Sequence, residues 1–127
     1  MRIMVVDDDK TTRKILGLYL TRKGHQPVFA ENGLDAIEKL ASNEVDIIMT
    51  DLNMPYMDGL ELTKQLKNNP AFQSIPILML TTETDDEEKN KANDAGINAY
   101  MVKPVSAETV DSMIRQMTII KQRQEDK

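Results

Sequence analysis

The chain predicts an α/β fold of three layers, in which one five-stranded, mostly parallel sheet is doubly wound by helices on both faces. Three observations carry that prediction. Short apolar runs alternate with longer amphipathic ones along all 127 residues, which is the signature of repeated strand and helix units. Several of the short runs are apolar without interruption, as strands covered on both faces should be. Capping and stop residues punctuate the longer runs.

The strands are expected at Arg2–Val6, Gln26–Ala30, Val45–Thr50, Ile75–Leu80 and Ala99–Val102. After the first, Thr11–Lys23 places Ile15, Leu16, Tyr19 and Leu20 on one helical face, with Gly24 as the stop. Asn32–Ser42 turns Ala36, Ile37, Leu40 and Ala41 inward, and Asp58–Asn69 opens on a capping Asp. Asp85–Ala95 follows Thr84, has Glu87 at capping-box spacing and ends at Gly96. Ser106 caps a last helix whose buried stripe is Val110, Met113, Ile114 and Met117. Beyond Ile120 the residues become charged, so one domain is expected over 1–120, with 121–127 as a fraying tail. No repeat, low-complexity segment or Pro/Gly/Ser linker divides the chain.

Composition narrows the function. With 40% hydrophobic and 29% charged residues the chain can bury one ordinary core. Its net charge of −5 argues against a broad nucleic-acid or anionic-membrane footprint, which needs a concentrated cationic face. Proteins and cations are the expected partners. No cysteine and a single histidine exclude disulfides, thiolate catalysis and Cys/His zinc sites. The apolar run Ile3–Val6 is too short for a signal sequence, and no stretch reaches membrane-spanning length. A soluble, cytoplasmic protein is expected.

Doubly wound sheets bind ligands beyond the carboxyl ends of their strands, so the residues just after each apolar run matter most. Those positions hold Asp7 and Asp8, then Asp51, Thr81 and Lys103. Two carboxylates about 4 Å apart repel by roughly 4 kcal/mol at an effective dielectric near 20. Lys103 can neutralise only one of the three. The excess calls for a metal, and an oxygen-only donor set selects a hard ion, Mg²⁺ above all in cytosol. Mg²⁺ shares its sphere with phosphate oxygens readily, and a carboxylate beside it can act as nucleophile toward phosphorus. Lys103 and Thr81 would then contact the phosphoryl oxygens.

Each residue also has a plainer reading. The acidic run Asp7-Asp8-Asp9 can cap the helix from Thr11, and for Asp9 that reading is preferred. Taken singly, Asp51 can be a turn residue, Thr81 a cap and Lys103 a solvated lysine. His25 lies away from this edge and reads as a surface or packing residue, while the nine methionines read as core filling. Asp85, Asp86, Glu87 and Glu88 suit the start of a helix. The functional reading gains its force from all the site candidates falling at one end of consecutive parallel strands.

Several segments together resemble response-regulator receiver domains of two-component signalling, and among these the stand-alone chemotaxis regulators. They are Val5-Val6-Asp7-Asp8, Thr50-Asp51-Leu52-Asn53-Met54-Pro55 with Met57-Asp58-Gly59, Leu80-Thr81, and Tyr100-Met101-Val102-Lys103-Pro104. The resemblance runs from Arg2 to about Ile120 and implies the strand order 2-1-3-4-5. It implies that Asp7, Asp8, Asp51 and the Asn53 backbone carbonyl bind Mg²⁺ and that Asp51 is the phosphoacceptor. The same resemblance implies that Lys103 is the phosphate-contacting lysine, that Thr81 and Tyr100 form a switch pair, and that Asn53 and Glu83 tune dephosphorylation. The Lys103–Pro104 bond is expected to be cis.

The implied partners are a histidine kinase as phosphodonor, a flagellar switch or other target protein, and a phosphatase. The protein is expected to be a monomer. With no output domain after residue 127, signalling is expected to proceed by docking through the fourth helix, fifth strand and fifth helix. Two departures bear on the target: Val105 stands where chemotaxis regulators usually carry an aromatic residue, and the fourth helix is more acidic than a motor binder's. A single-domain receiver serving as phosphorelay intermediate or phosphate sink is the alternative. A Mg²⁺-dependent phosphohydrolase is disfavoured because Asn53 stands where such enzymes place a second Asp. A flavin carrier is disfavoured because three aspartates in the first loop would repel phosphate.

Overall fold

A computed structural model of the protein describes residues 1–82 and 86–125. Its elements are β1 (Arg2–Val6), α1 (Lys10–Arg22), β2 (Gln26–Ala30), α2 (Gly33–Leu40), β3 (Ile47–Asp51), α3 (Gly59–Lys67), β4 (Ile77–Thr81), α4 (Asp86–Ala95), β5 (Ala99–Val102) and α5 (Ala107–Glu125). The strands form one sheet in the order β2-β1-β3-β4-β5, and every neighbouring pair is parallel. The expected class and strand order are both found.

Alternation along the strands divides the core in two. Ile3, Val5, Ile47, Met49, Leu78, Leu80 and Met101 pack against Leu16 and Leu20 of α1 and Val110, Ile114 and Met117 of α5. On the other face Met4, Val6, Ile48 and Ile77 meet Ala36, Leu40, Leu62 and Leu66 of α2 and α3. Leu52, Met79 and Ala92 form a smaller cluster under α4. Each fully buried aliphatic side chain contributes about 1.5–3 kcal/mol, so these clusters hold the sheet edge in place. The expectation that methionines fill the core holds at Met4, Met49, Met57, Met79, Met101 and Met117, all buried.

The helices begin at the same edge of the sheet, and side chains cap them there. Asp9 accepts from the Thr11 N–H at 3.1 Å, Asn32 from Asp35 at 2.9 Å, Asp58 from Glu61 at 2.8 Å and Ser106 from Thr109 at 3.1 Å. Helix N-termini favour negative charge nearby, which suits an acidic edge.

Several expectations shift. Val45 and Ile75 precede their strands, and β3 and β4 instead run one residue further, ending on Asp51 and Thr81. Ile15 is 42% exposed rather than part of the buried face, because Gly17 lies against Phe29 and turns the helix onto Leu16, Gly17 and Leu20. Ala41 is exposed because α2 ends at Leu40. α5 continues past Ile120 as far as Glu125, with Lys121 reaching Asp46 at 3.3 Å. Thr84 and Asp85, expected at the start of α4, lie outside the described residues.

Candidate functional site

The site is built where β1, β3, β4 and β5 end. Asp7 and Asp8 follow β1, Asp51 and Thr81 close β3 and β4, and Lys103 follows β5. Strand alternation assigns these residues to two faces. Asp51 continues the row of Ile47 and Met49 on the α1/α5 side, as Asp7 continues Ile3 and Val5, and Lys103 continues Ala99 and Met101. Thr81 instead follows Ile77 and Met79, the face that carries Tyr100. Asp7, Asp51 and Lys103 thus share one side, and Thr81 and Tyr100 share the other.

Oxygen atoms of Asp7, Asp8 and Asp51 lie within 4.8 Å of one another. Lys103 Nζ joins two of these groups, reaching Asp7 Oδ2 at 2.9 Å and Asp51 Oδ1 at 3.3 Å. Asp7 is fully buried, and its Oδ1 accepts the Asp9 N–H at 2.9 Å. Its carboxylate is therefore fixed at both oxygens. Asp8 is exposed.

The electrostatics reflect the crowding. Burial and then the charge of Asp7 push the Asp51 carboxyl above its ordinary range, against the downward pull of Lys103. Burial alone would lower the Lys103 ammonium, but the Asp7 hydrogen bond and the charges of Asp51 and Asp7 outweigh it and raise it. Opposite charges favour the charged form and like charges disfavour it. One lysine leaves three carboxylates undercompensated, and their donor set is oxygen only, which fits a hard divalent cation such as Mg²⁺.

Beside this pocket, Asp9 caps α1 with bonds to the Thr11 N–H and to Thr12 Oγ1 at 2.7 Å, the plainer role anticipated for it. Asn53 is exposed in the loop after β3. Thr81 is fully buried, and its carbonyl accepts the Lys103 N–H at 2.8 Å, which ties the ends of β4 and β5 together. The Tyr100 ring packs against the cluster of Leu52, Met79 and Ala92, with Lys89 Nζ 5.5 Å from its centroid. The Lys103–Pro104 peptide is cis. Glu83 lies outside the described residues.

Two residues that position the site escaped sequence reasoning. A side chain at Gly59 would collide with the carbonyl oxygen of Asp51 and crowd the sulfur of Met79. Gly59 also donates its N–H to the Leu52 carbonyl at 2.9 Å, closing the loop after β3. It stands inside the Met57-Asp58-Gly59 segment, where the sequence shows a helix start and part of the receiver resemblance but not this close approach. Arg13 donates to the Asp7 carbonyl at 2.6 Å, across a separation that no helical or strand period marks.

The chain resembles known proteins over most of its length. The family model for the response regulator receiver domain matches residues 3–115. The chemotaxis protein CheY1 of Helicobacter pylori is 42% identical over 112 residues, covering 87% of this chain and 90% of that protein. A chemotaxis protein CheY homolog of Campylobacter jejuni is 43% identical over 112 residues, covering 87% and 86%. Among solved structures, chemotaxis protein CheY4 of Vibrio cholerae superposes with a TM-score of 0.87 at 32% identity, covering 91% of this chain and 97% of that one. A receiver domain protein of Methanospirillum hungatei, at 22% identity, shares the fold with a TM-score of 0.89 and covers 97% of each chain.

Proposed function

The chain belongs to the response regulator receiver domain family, and on that premise we propose that it is a phosphorylation-activated regulator in which Asp51 accepts the phosphoryl group. The observation that carries this reading is the close grouping of three carboxylates with Lys103 bridging Asp7 and Asp51. A Mg²⁺ ion held by Asp7, Asp8, Asp51 and the Asn53 carbonyl would supply charge neutralisation for the incoming phosphoryl oxygens.

The remaining work falls to the chain's own groups. An Asp51 carboxylate oxygen attacks the phosphorus of a kinase phosphohistidine, forming an O–P bond as the P–N bond breaks. The electron pair leaves with the imidazole nitrogen, which then takes up a proton. Lys103 already contacts the nucleophile, so part of the developing charge meets a fixed cation without rearrangement. Asp7, held by Asp9 and Lys103, keeps that cation aimed at the pocket. Thr81 engages the new phosphoryl group, and Tyr100 repacks on the face the two residues share, altering α4, β5 and α5. In population terms the phosphoryl group favours one of two states by its differential contacts. Asn53 and Glu83 set how long it persists.

Output is docking of that altered surface onto a target protein. The chemotaxis proteins of Helicobacter, Campylobacter and Vibrio support a role in chemotaxis, with a flagellar switch as target and a phosphatase ending the signal. No helix among the described residues is long and apolar enough to cross a membrane, which is consistent with work in the cytoplasm.

Incubation with acetyl phosphate and Mg²⁺ tests the reading. The protein should be labelled and Asp51→Asn should not; equal, equally labile labelling of the variant would remove Asp51 from the role. Beryllofluoride-activated protein should also bind a flagellar switch peptide more tightly than the unactivated form, and unchanged binding would redirect the search to another target.

A further inference from the structure

Away from the acidic pocket, α1 and the edge strand β2 enclose an open groove of about 450 Å³. Its shape depends on Gly17, where a Cβ would come within 2.5 Å of the Phe29 ring. Glycine inside a helix costs about 1 kcal/mol relative to alanine, and here it lets the ring lie against α1. Leu18 is 49% exposed and Phe29 36% exposed, and Pro27 adds to the same apolar lining. Exposed apolar side chains gathered under a polar rim mark an interaction surface.

The rim is cationic. Lys10, Arg13 and Lys14 line the groove with no acidic side chain among its described lining, in a chain whose net charge is −5. Lys10 and Lys14 are exposed, whereas Arg13 is held on the Asp7 carbonyl. The free edge of β2 is closed to a pairing strand. Pro27 has no N–H to offer, and the Phe29 carbonyl accepts from Lys39 Nζ at 2.6 Å. An occupant must therefore bind through side chains, as the apolar face of a helix does.

We propose that the α1–β2 groove docks an acidic amphipathic helix of a partner protein. Its aliphatic anchors lie between Leu18 and Phe29, and its carboxylates face Lys10 and Lys14. The assignment does not depend on phosphorylation of Asp51.

The test uses the full chain, ¹⁵N-labelled, titrated with a capped helical peptide of about 16 residues built from Leu anchors and Glu. Saturable shifts are expected at the amides of Leu18, Thr21 and Phe29, with Kd on the order of 10⁻⁵ M. The same peptide with Lys in place of Glu should bind about tenfold more weakly. The double variant Lys10→Glu/Lys14→Glu should reverse that preference, and its acid at position 10 suits the first turn of α1. Leu18→Asn, at an exposed position, should weaken the acidic peptide by about tenfold. Equal binding of both peptides, shifts centred elsewhere, or no saturable shift up to about 1 mM would overturn the proposal. So would saturation of the groove by dodecanoate when the acidic peptide leaves it empty, because the surface would then be a site for small amphiphiles.

Discussion

Asp51 carries two opposing demands. The role proposed for it requires a charged carboxylate, yet burial and the neighbouring Asp7 both disfavour that charge. Two unit charges no more than 4.8 Å apart repel by at least about 3.5 kcal/mol at an effective dielectric of 20, and Lys103 offsets only part of that. In EDTA, Asp51→Asn should therefore raise stability by about 1–2 kcal/mol in urea denaturation, and a lower midpoint would contradict the repulsion argument. The pH dependence has a definite sign. A carboxyl raised in the folded state stabilises the fold fully below its ordinary value of 3.8 and loses that contribution as pH rises through its folded value. The gap between wild type and Asp51→Asn should widen upward from pH 3.8. Adjacent acids should separate by role. Asp9→Ala removes the α1 cap, so melting temperature should fall while labelling by acetyl phosphate persists. Asp8→Ala, at an exposed position, should leave melting nearly unchanged and weaken Mg²⁺ binding at least about tenfold by calorimetry. The reverse pattern would exchange their roles.

At the scale of elements, the edge is held by how strand ends and helix starts meet. α3 begins at Gly59, which presses on the Asp51 carbonyl and returns an N–H to Leu52. Gly59→Ala must displace backbone rather than a flexible side chain, so it should cost about 2–3 kcal/mol and slow phosphorylation as Asp51 shifts. Wild-type stability and rate together would show that the loop adapts freely. The sequence disclosed this junction only in part. Asp58 was legible as a cap because its residue type and the spacing to Glu61 are local. The close approach of Gly59 to Asp51 was not, since it follows from the angle at which α3 leaves β3. For the same reason Ile15 was misassigned. Periodicity gives a stripe, but the Gly17–Phe29 contact chooses which side of the stripe faces the sheet.

For the whole molecule, parallel order and two-sided burial make the sheet one rigid support, while the charge excess at its carboxyl edge is a local liability. A ligand that binds only the folded state stabilises it by about 2.7 kcal/mol at a hundredfold excess over Kd. Mg²⁺ at that excess should raise the melting temperature by about 5–10 °C. Asp51→Asn should show a smaller rise, and absence of any rise in the wild type would remove the cation from the account.

Residue order alone determined the class of fold, because a period of two or of 3.6 and a cap are properties of neighbours in the chain. It also determined the chemical types at the strand ends, and so the candidates Asp7, Asp8, Asp51, Thr81 and Lys103. Only the tertiary structure decided that Lys103 spans Asp7 and Asp51, that Thr81 and Tyr100 lie on the opposite face, and that Arg13 and Gly59 brace the pocket. Those facts depend on strand register and helix approach, which arise from packing between segments far apart in the chain. No local pattern encodes them.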